Sequence, residues 1–231
     1  MREAATQAQR RTLVHGLGFI MLLVSCVLPA TASAAVAYRD EFRILDPSRW
    51  TTSSHQLGRS QLADENVRVD GGRLKIRLPA ARVDGGEIES IDHHRFGRYT
   101  ARIRAAHAPS SITGFFLYRA PDFHSEIDIE IYNDSRGRVA FSVYSSGRTR
   151  TSRERLGFDP TEAFHRYTIV NRPERVDFLV DGRRMHSFRR GLPPASMKLL
   201  VNSWFPWWLA GHPPESDRAT LVDWVSVRPF S

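Results

Sequence analysis

The sequence predicts an all-β fold: two antiparallel sheets packed face to face, one of them curving to form an open groove. Three observations carry this reading. Short alternating or aliphatic runs recur between Gly, Pro, Asp and Asn turns, the pattern of a β-sandwich. No stretch has the spacing of a long amphipathic helix. In Glu126-Ile127-Asp128-Ile129-Glu130-Ile131, acids and β-branched aliphatics alternate strictly, which favours an extended backbone with two unlike faces.

In chain order, the first 35 residues read as an export signal. Arg10 and Arg11 precede a mainly apolar run from Leu13 to Leu28, and the small-residue site Ala32-Ser33-Ala34 follows. His15, Gly16 and Gly18 interrupt that run and Pro29 closes it, which argues against a membrane span. Cleavage near Ala34 leaves a mature secreted or periplasmic chain. Leu23-Val24-Ser25-Cys26 gives a rival reading in which Cys26 is lipidated and holds the chain at a membrane. Cys26 is the sole cysteine, so the remaining domain, residues 36–231, has no disulfide and depends on its core.

Strands are expected at 66–69, 73–78, 87–91, 98–105, 114–119, 126–133, 139–145, 165–171, 176–180, 184–188, 198–204 and 220–227. Asp70-Gly71-Gly72 and Asp181-Gly182 mark tight turns between them. The 33 basic and 25 acidic residues give a formal charge of +8. The excess is mostly arginine scattered among strands, with no helix-turn-helix, zinc-finger or ribonucleoprotein motif, so nucleic acid is not an expected partner. The chain is expected to act as a monomer.

On the 126–131 strand, Glu126, Asp128 and Glu130 share one face, with neighbouring Cα atoms roughly 6.6 Å apart. Like charges that close separate one another's pKa values, so one carboxyl can stay protonated while another is ionised. That is the requirement of a retaining glycosidase, in which one carboxylate attacks and another protonates the leaving oxygen. Alternation alone also fits a solvated strand face whose acids pair with arginines.

The flanks add a resemblance. Glu126-Ile127-Asp128-Ile129-Glu130 resembles the active-site strand of glycoside hydrolase family sixteen, the lichenase- and laminarinase-like β-jelly-roll enzymes. Gly97-Arg98-Tyr99-Thr100-Ala101-Arg102-Ile103, Gly114-Phe115-Phe116-Leu117-Tyr118, Phe164-His165-Arg166-Tyr167, Val180-Asp181-Gly182 and Val222-Asp223-Trp224-Val225 resemble further signatures of that family, in the same order. The resemblance implies a concanavalin-like jelly roll and a polysaccharide substrate. It also implies Glu126 as nucleophile, Glu130 as general acid and base, and Asp128 between them as positioning residue.

By the same resemblance Glu87, Tyr118, His124, Tyr144, Asn202, Trp204 and Trp208 line the sugar-binding cleft, with Glu87 on the non-reducing side of the cut. Asn202 and Trp204 share a strand face by alternation, and planar aromatics suit pyranose rings. Trp224, in the closing strand, is expected in the core. Catalysis is expected to need no cofactor, while a structural calcium on the convex side is implied with Asp223 as one ligand. His124, Ser142 and Glu89 depart from the Trp, Asn and Arg that relatives carry at these places. The reaction class expected is an endo-acting β-1,3/1,4-glucan hydrolase. An envelope-glycan transglycosylase and a non-catalytic lectin-like binder are the alternatives.

Overall fold

The structure is a computed structural model that describes residues 37–230. The expected export segment, Cys26 and the cleavage site at Ala34 lie outside these residues. Seventeen strands follow one another: β1 (Tyr38–Asp40), β2 (Trp50–Thr52), β3 (His55–Leu57), β4 (Ser60–Leu62), β5 (Val67–Val69), β6 (Leu74–Leu78), β7 (Gly86–His94), β8 (Gly97–Arg104) and β9 (Ile112–Arg119) come first. Then come β10 (Ser125–Tyr132), β11 (Arg138–Ser145), β12 (Arg148–Arg155), β13 (His165–Arg172), β14 (Arg175–Val180), β15 (Arg183–Phe188), β16 (Met197–Trp204) and β17 (Arg218–Pro229). The only helix among the described residues is a 3-10 turn at Asp64–Asn66.

Two sheets form the layers. One is seven-stranded, in the order β12-β11-β10-β9-β16-β7-β2; the other is eight-stranded, in the order β15-β14-β13-β8-β17-β6-β5 with β1 also on β17. All pairings between these strands are antiparallel, and β3 and β4 form a separate hairpin. This is the sandwich the sequence predicts, and each of the twelve expected strands is present.

The core lies between the layers. Ile127, Ile129 and Ile131 of β10 point into it beside Phe115, Phe141 and Val201, facing Tyr99, Ile103, Tyr167 and Ile169 of the other sheet, all fully buried. Fully burying an aliphatic side chain contributes about 1.5–3 kcal/mol, so the inner half of β10 fixes the strand firmly. At one end of the strand a buried polar network adds to this. Thr113 hydrogen-bonds the Asn133 amide oxygen at 2.7 Å, and the Asn133 amide nitrogen donates to Ser111 at 2.8 Å and Ser203 at 3.2 Å.

Trp224 is buried, as expected, but outside the cluster between the sheets. It lies under the Arg39 guanidinium, 4.0 Å from its ring centre, among residues of the outer face of the eight-stranded sheet. A register shift between Val222 and Trp224 moves it out of the inward series that Val222, Val225 and Val227 occupy. His93 and His94 divide as strand alternation requires, the first exposed and the second buried against Tyr38 and Tyr99.

Because Ile129 sits at the centre of this layer, Ile129→Ala should lower the unfolding free energy by about 2–5 kcal/mol. Ile91→Ala, at a position 45% exposed, should change it by less than about 0.5 kcal/mol. Urea denaturation of the two variants measures the difference; equal costs would place β10 outside the core.

Candidate active site

The outer face of the seven-stranded sheet carries a groove of about 750 Å³, and its floor is built in cross-strand rows. Glu126 stands between Tyr144 of β11 and Tyr118 of β9. Asp128 stands between Ser142 and Phe116, and Glu130 between Ala140 and Gly114. The last row continues from Gly114 to Asn202 of β16 and on to Glu87 of β7. A side chain at position 114 would not fit, since a Cβ there would meet the Asn202 amide oxygen at 2.5 Å. Gly114 therefore leaves a notch between Glu130 and Asn202.

Burial sets the electrostatics. Desolvation raises the Glu130 pKa from its ordinary 4.5 to about 7, with Arg153 opposing. Desolvation also takes Glu126 to about 7, assisted by the charges of Glu130 and Asp122 and opposed by a hydrogen bond from Asp128. Asp128 lies deepest; burial first, then the charges of Glu126 and Glu130, hold its pKa well above the usual carboxylate range. A protonated Asp128 donating to an ionised Glu126 satisfies both groups, and it gives a partner to a buried Asp128 oxygen that no ordinary donor reaches.

On the β7 side Asn202 donates to Glu87 at 3.0 Å and Ser53 donates to it at 3.1 Å. Desolvation nonetheless raises the Glu87 pKa. Asn202 keeps its buried amide oxygen without a donor. Trp204 lies half-buried against Gly58, whose φ of +56° and missing side chain let the indole rest on the β3–β4 turn. Trp208, 53% exposed, meets Tyr132 edge-on at 5.6 Å between ring centres. Tyr118 donates to Asp122 at 2.6 Å.

Of the residues singled out from sequence, Glu87, Tyr118, Glu126, Asp128, Glu130, Tyr144, Asn202, Trp204 and Trp208 all line this groove. His124 does not. The loop before β10 puts Phe123 there instead, at φ +63°. That conformation costs a non-glycine residue roughly 1–2 kcal/mol. It is held by backbone hydrogen bonds from Gly147 to Phe123 at 2.9 Å and from Ser146 to His124 at 3.1 Å. Phe123 then packs on Tyr144 at 5.7 Å, and His124 is left exposed outside the groove. Ser53, His55, Gln56, Phe116 and Asp122 also line it without having been singled out. The signal for Phe116 was present in the strand alternation that places it beside Tyr118.

Asp223 does not suit a calcium ion. One carboxyl oxygen meets Arg102 at 2.5 Å and the other Arg73 at 3.4 Å, so guanidinium groups occupy the place a cation would take. Among the described residues no group of three His, Cys, Asp or Glu side chains is arranged to hold a metal.

The sequence model described as glycosyl hydrolases family 16 matches residues 56–225. Beta-glucanases of Bacillus subtilis and Bacillus amyloliquefaciens are 25% and 28% identical, over 94% and 95% of this chain and 96% and 99% of their own lengths. The structure of a Bacillus licheniformis beta-glucanase superposes with a TM-score of 0.78 at 22% identity, covering 85% of this chain and 99% of that one, and has the same fold. The chain belongs to glycosyl hydrolases family 16 and is a glycoside hydrolase.

Proposed function

We propose that the protein is a secreted, endo-acting β-glucan hydrolase that retains anomeric configuration. The observation that carries the reading is the single strand face on which Glu126, Asp128 and Glu130 line the groove, two of them titrating near neutrality. The names of the Bacillus relatives support a β-glucan as substrate, and the export segment read at residues 1–35 supports secretion.

Glu126 attacks the anomeric carbon while Glu130 protonates the glycosidic oxygen that leaves. Glu130, now ionised, takes a proton from water, and the resulting hydroxide displaces Glu126 from the sugar. Asp128 holds Glu126 ionised and oriented in the resting state through its hydrogen bond. Asn202 and Glu87 offer an amide and a carboxyl group to sugar hydroxyls on the non-reducing side, and Trp204 and Trp208 offer faces for pyranose rings.

Glu126→Gln and Glu130→Gln should each abolish reducing-sugar release from lichenan and laminarin while leaving the circular dichroism spectrum unchanged. Azide should rescue Glu126→Ala and give a glycosyl azide of inverted configuration. Near wild-type turnover in either Gln variant would sink the assignment.

The pKa values predict pH behaviour in two readouts. Attack needs Glu126 ionised and protonation needs Glu130 neutral, so kcat/KM should form a bell near pH 7, the limits belonging to the triad as a set. Stability should run the other way. Folded Glu130 binds its proton more tightly than the unfolded chain does, so its contribution is full below about pH 4.5 and is lost as pH rises through 7. At about 1.4 kcal/mol per pH interval, ionising it in the fold costs on the order of 3 kcal/mol. Glu130→Gln should therefore stabilise the protein in urea at pH 8 and be nearly neutral at pH 4; equal effects at both would remove burial as the cause.

A further inference from the structure

A second hollow, of about 570 Å³, lies at the β12 edge of the sandwich beside the groove; Tyr132, Arg138, Arg153 and Arg155 wall it from the groove face, and Arg183 and Arg184 from the other sheet. Its position follows from register. Arg153 pairs with Ala140, which pairs with Glu130, so Arg153 stands in the row of Glu130 with only a methyl group between. Two strand spacings make that about 10 Å at Cα, within range for the Arg153 charge to act on Glu130. Arg155 follows two residues later on the same face, opposite Arg138. Arg183 and Arg184 approach from β15, the edge strand of the other sheet.

Four of these five cations lack counter-ions. The single acid of the hollow, Glu154, accepts from Ser152 at 2.8 Å and faces His186 at 3.5 Å. Among the described residues no carboxylate lies within ion-pair distance of Arg153, Arg155, Arg183 or Arg184. Arg138 is paired with Asp134 and lies over the Tyr132 ring, yet its buried Nε has no acceptor. Guanidinium groups gathered round one cavity create a positive potential, and their planar forks match the oxygens of carboxylates and sulfates. The opposite end of the groove carries no unpaired arginine; it has Glu87, and Glu89 paired with Lys198. Unpaired positive charge is therefore concentrated at the β12 end.

We propose that this hollow is a subsite for a sugar bearing an anionic group, a carboxylate or a sulfate ester, and that the substrate is a β-glycan with such groups on its leaving-group half. The assignment rests on the proposed reading of the groove, in which Glu87 and Asn202 hold the non-reducing half and the β12 end takes the other. A plain alternative is a solvated charged edge that merely keeps β12 from pairing with another strand.

The test uses the full chain as Glu126→Gln, in native gels containing lichenan, carboxymethylated lichenan or sulfated lichenan, at low and at physiological ionic strength. At least one derivative should bind about tenfold more tightly than the neutral polymer, equivalent to about 1.4 kcal/mol. Which derivative it is separates carboxylate from sulfate. Adding Arg153→Gln and Arg155→Gln should remove that preference. Adding Arg98→Gln and Arg228→Gln, which lie together on the outer face of the eight-stranded sheet and lose the same charge, should leave it intact. Arg184→Gln, on the far wall, should remove part of it without altering β12. An equal affinity for all three polymers would overturn the proposal. So would a preference that survives loss of the groove pair, or one that falls equally in the control pair. Reducing-sugar release from neutral lichenan by the wild-type protein tests the underlying hydrolase reading separately, because the gel measures binding whether or not cleavage occurs.

Discussion

Strand alternation on β10 ties the core and the chemistry to one another. Ile127, Ile129 and Ile131 cannot be buried without Glu126, Asp128 and Glu130 facing the groove, and a slip of one residue would put three carboxyl groups between the sheets. The aliphatic side supplies the free energy that makes the acidic side tolerable. Desolvation opposes ionisation of all three acids, and proximity of their charges adds to this at Glu126 and Asp128. The same burial gives the carboxyl groups proton affinities suited to work near neutral pH. Stability sacrificed on one face is what the other face compensates.

The flanking strands then make the three acids unlike one another. Tyrosines on both sides of Glu126 provide a walled position with hydroxyl groups near it, whereas Gly114 and Ala140 leave open space around Glu130. Asp128, between Phe116 and Ser142, is the deepest, and burial favours its protonated form. A rigid sheet achieves this differentiation through side-chain size alone, with no motion of the backbone.

Much of this was legible in the sequence because it depends on period. The two-residue alternation of β10 fixes which residues face the groove, and the same rule places Asn202 with Trp204 and separates His93 from His94. What was missed depends on features without a period. The segment Arg148–Arg155 contains no apolar side, since as an edge strand its Arg150, Ser152 and Glu154 are not roofed by the core, so nothing in its composition marks β12 as a strand. Strands β1 to β4 are three residues each, too short for alternation to register. His124 was misplaced because a left-handed residue in the preceding loop turns Phe123 inward, and that conformation has no sequence signature in a phenylalanine. Trp224 is buried as its type suggests, but on the outer face, because a bulge shifts the phase of β17.

The departures from the lichenase pattern acquire a shared logic once the charges are placed. Glu89, where the family resemblance implies an arginine, is neutralised across the sheet by Lys198, so that end of the groove gains no free cation. Ser142, where the resemblance implies an asparagine, has its hydroxyl engaged by Thr151 of β12 at 2.9 Å. Both side chains are thus already engaged by neighbours on the sheet. Strand β12 meanwhile brings Arg153 and Arg155 to the same face, beyond Glu130 and without acid partners. On the proposed reading, selectivity moves from the middle of the groove toward one end, while the three acids keep their places on β10.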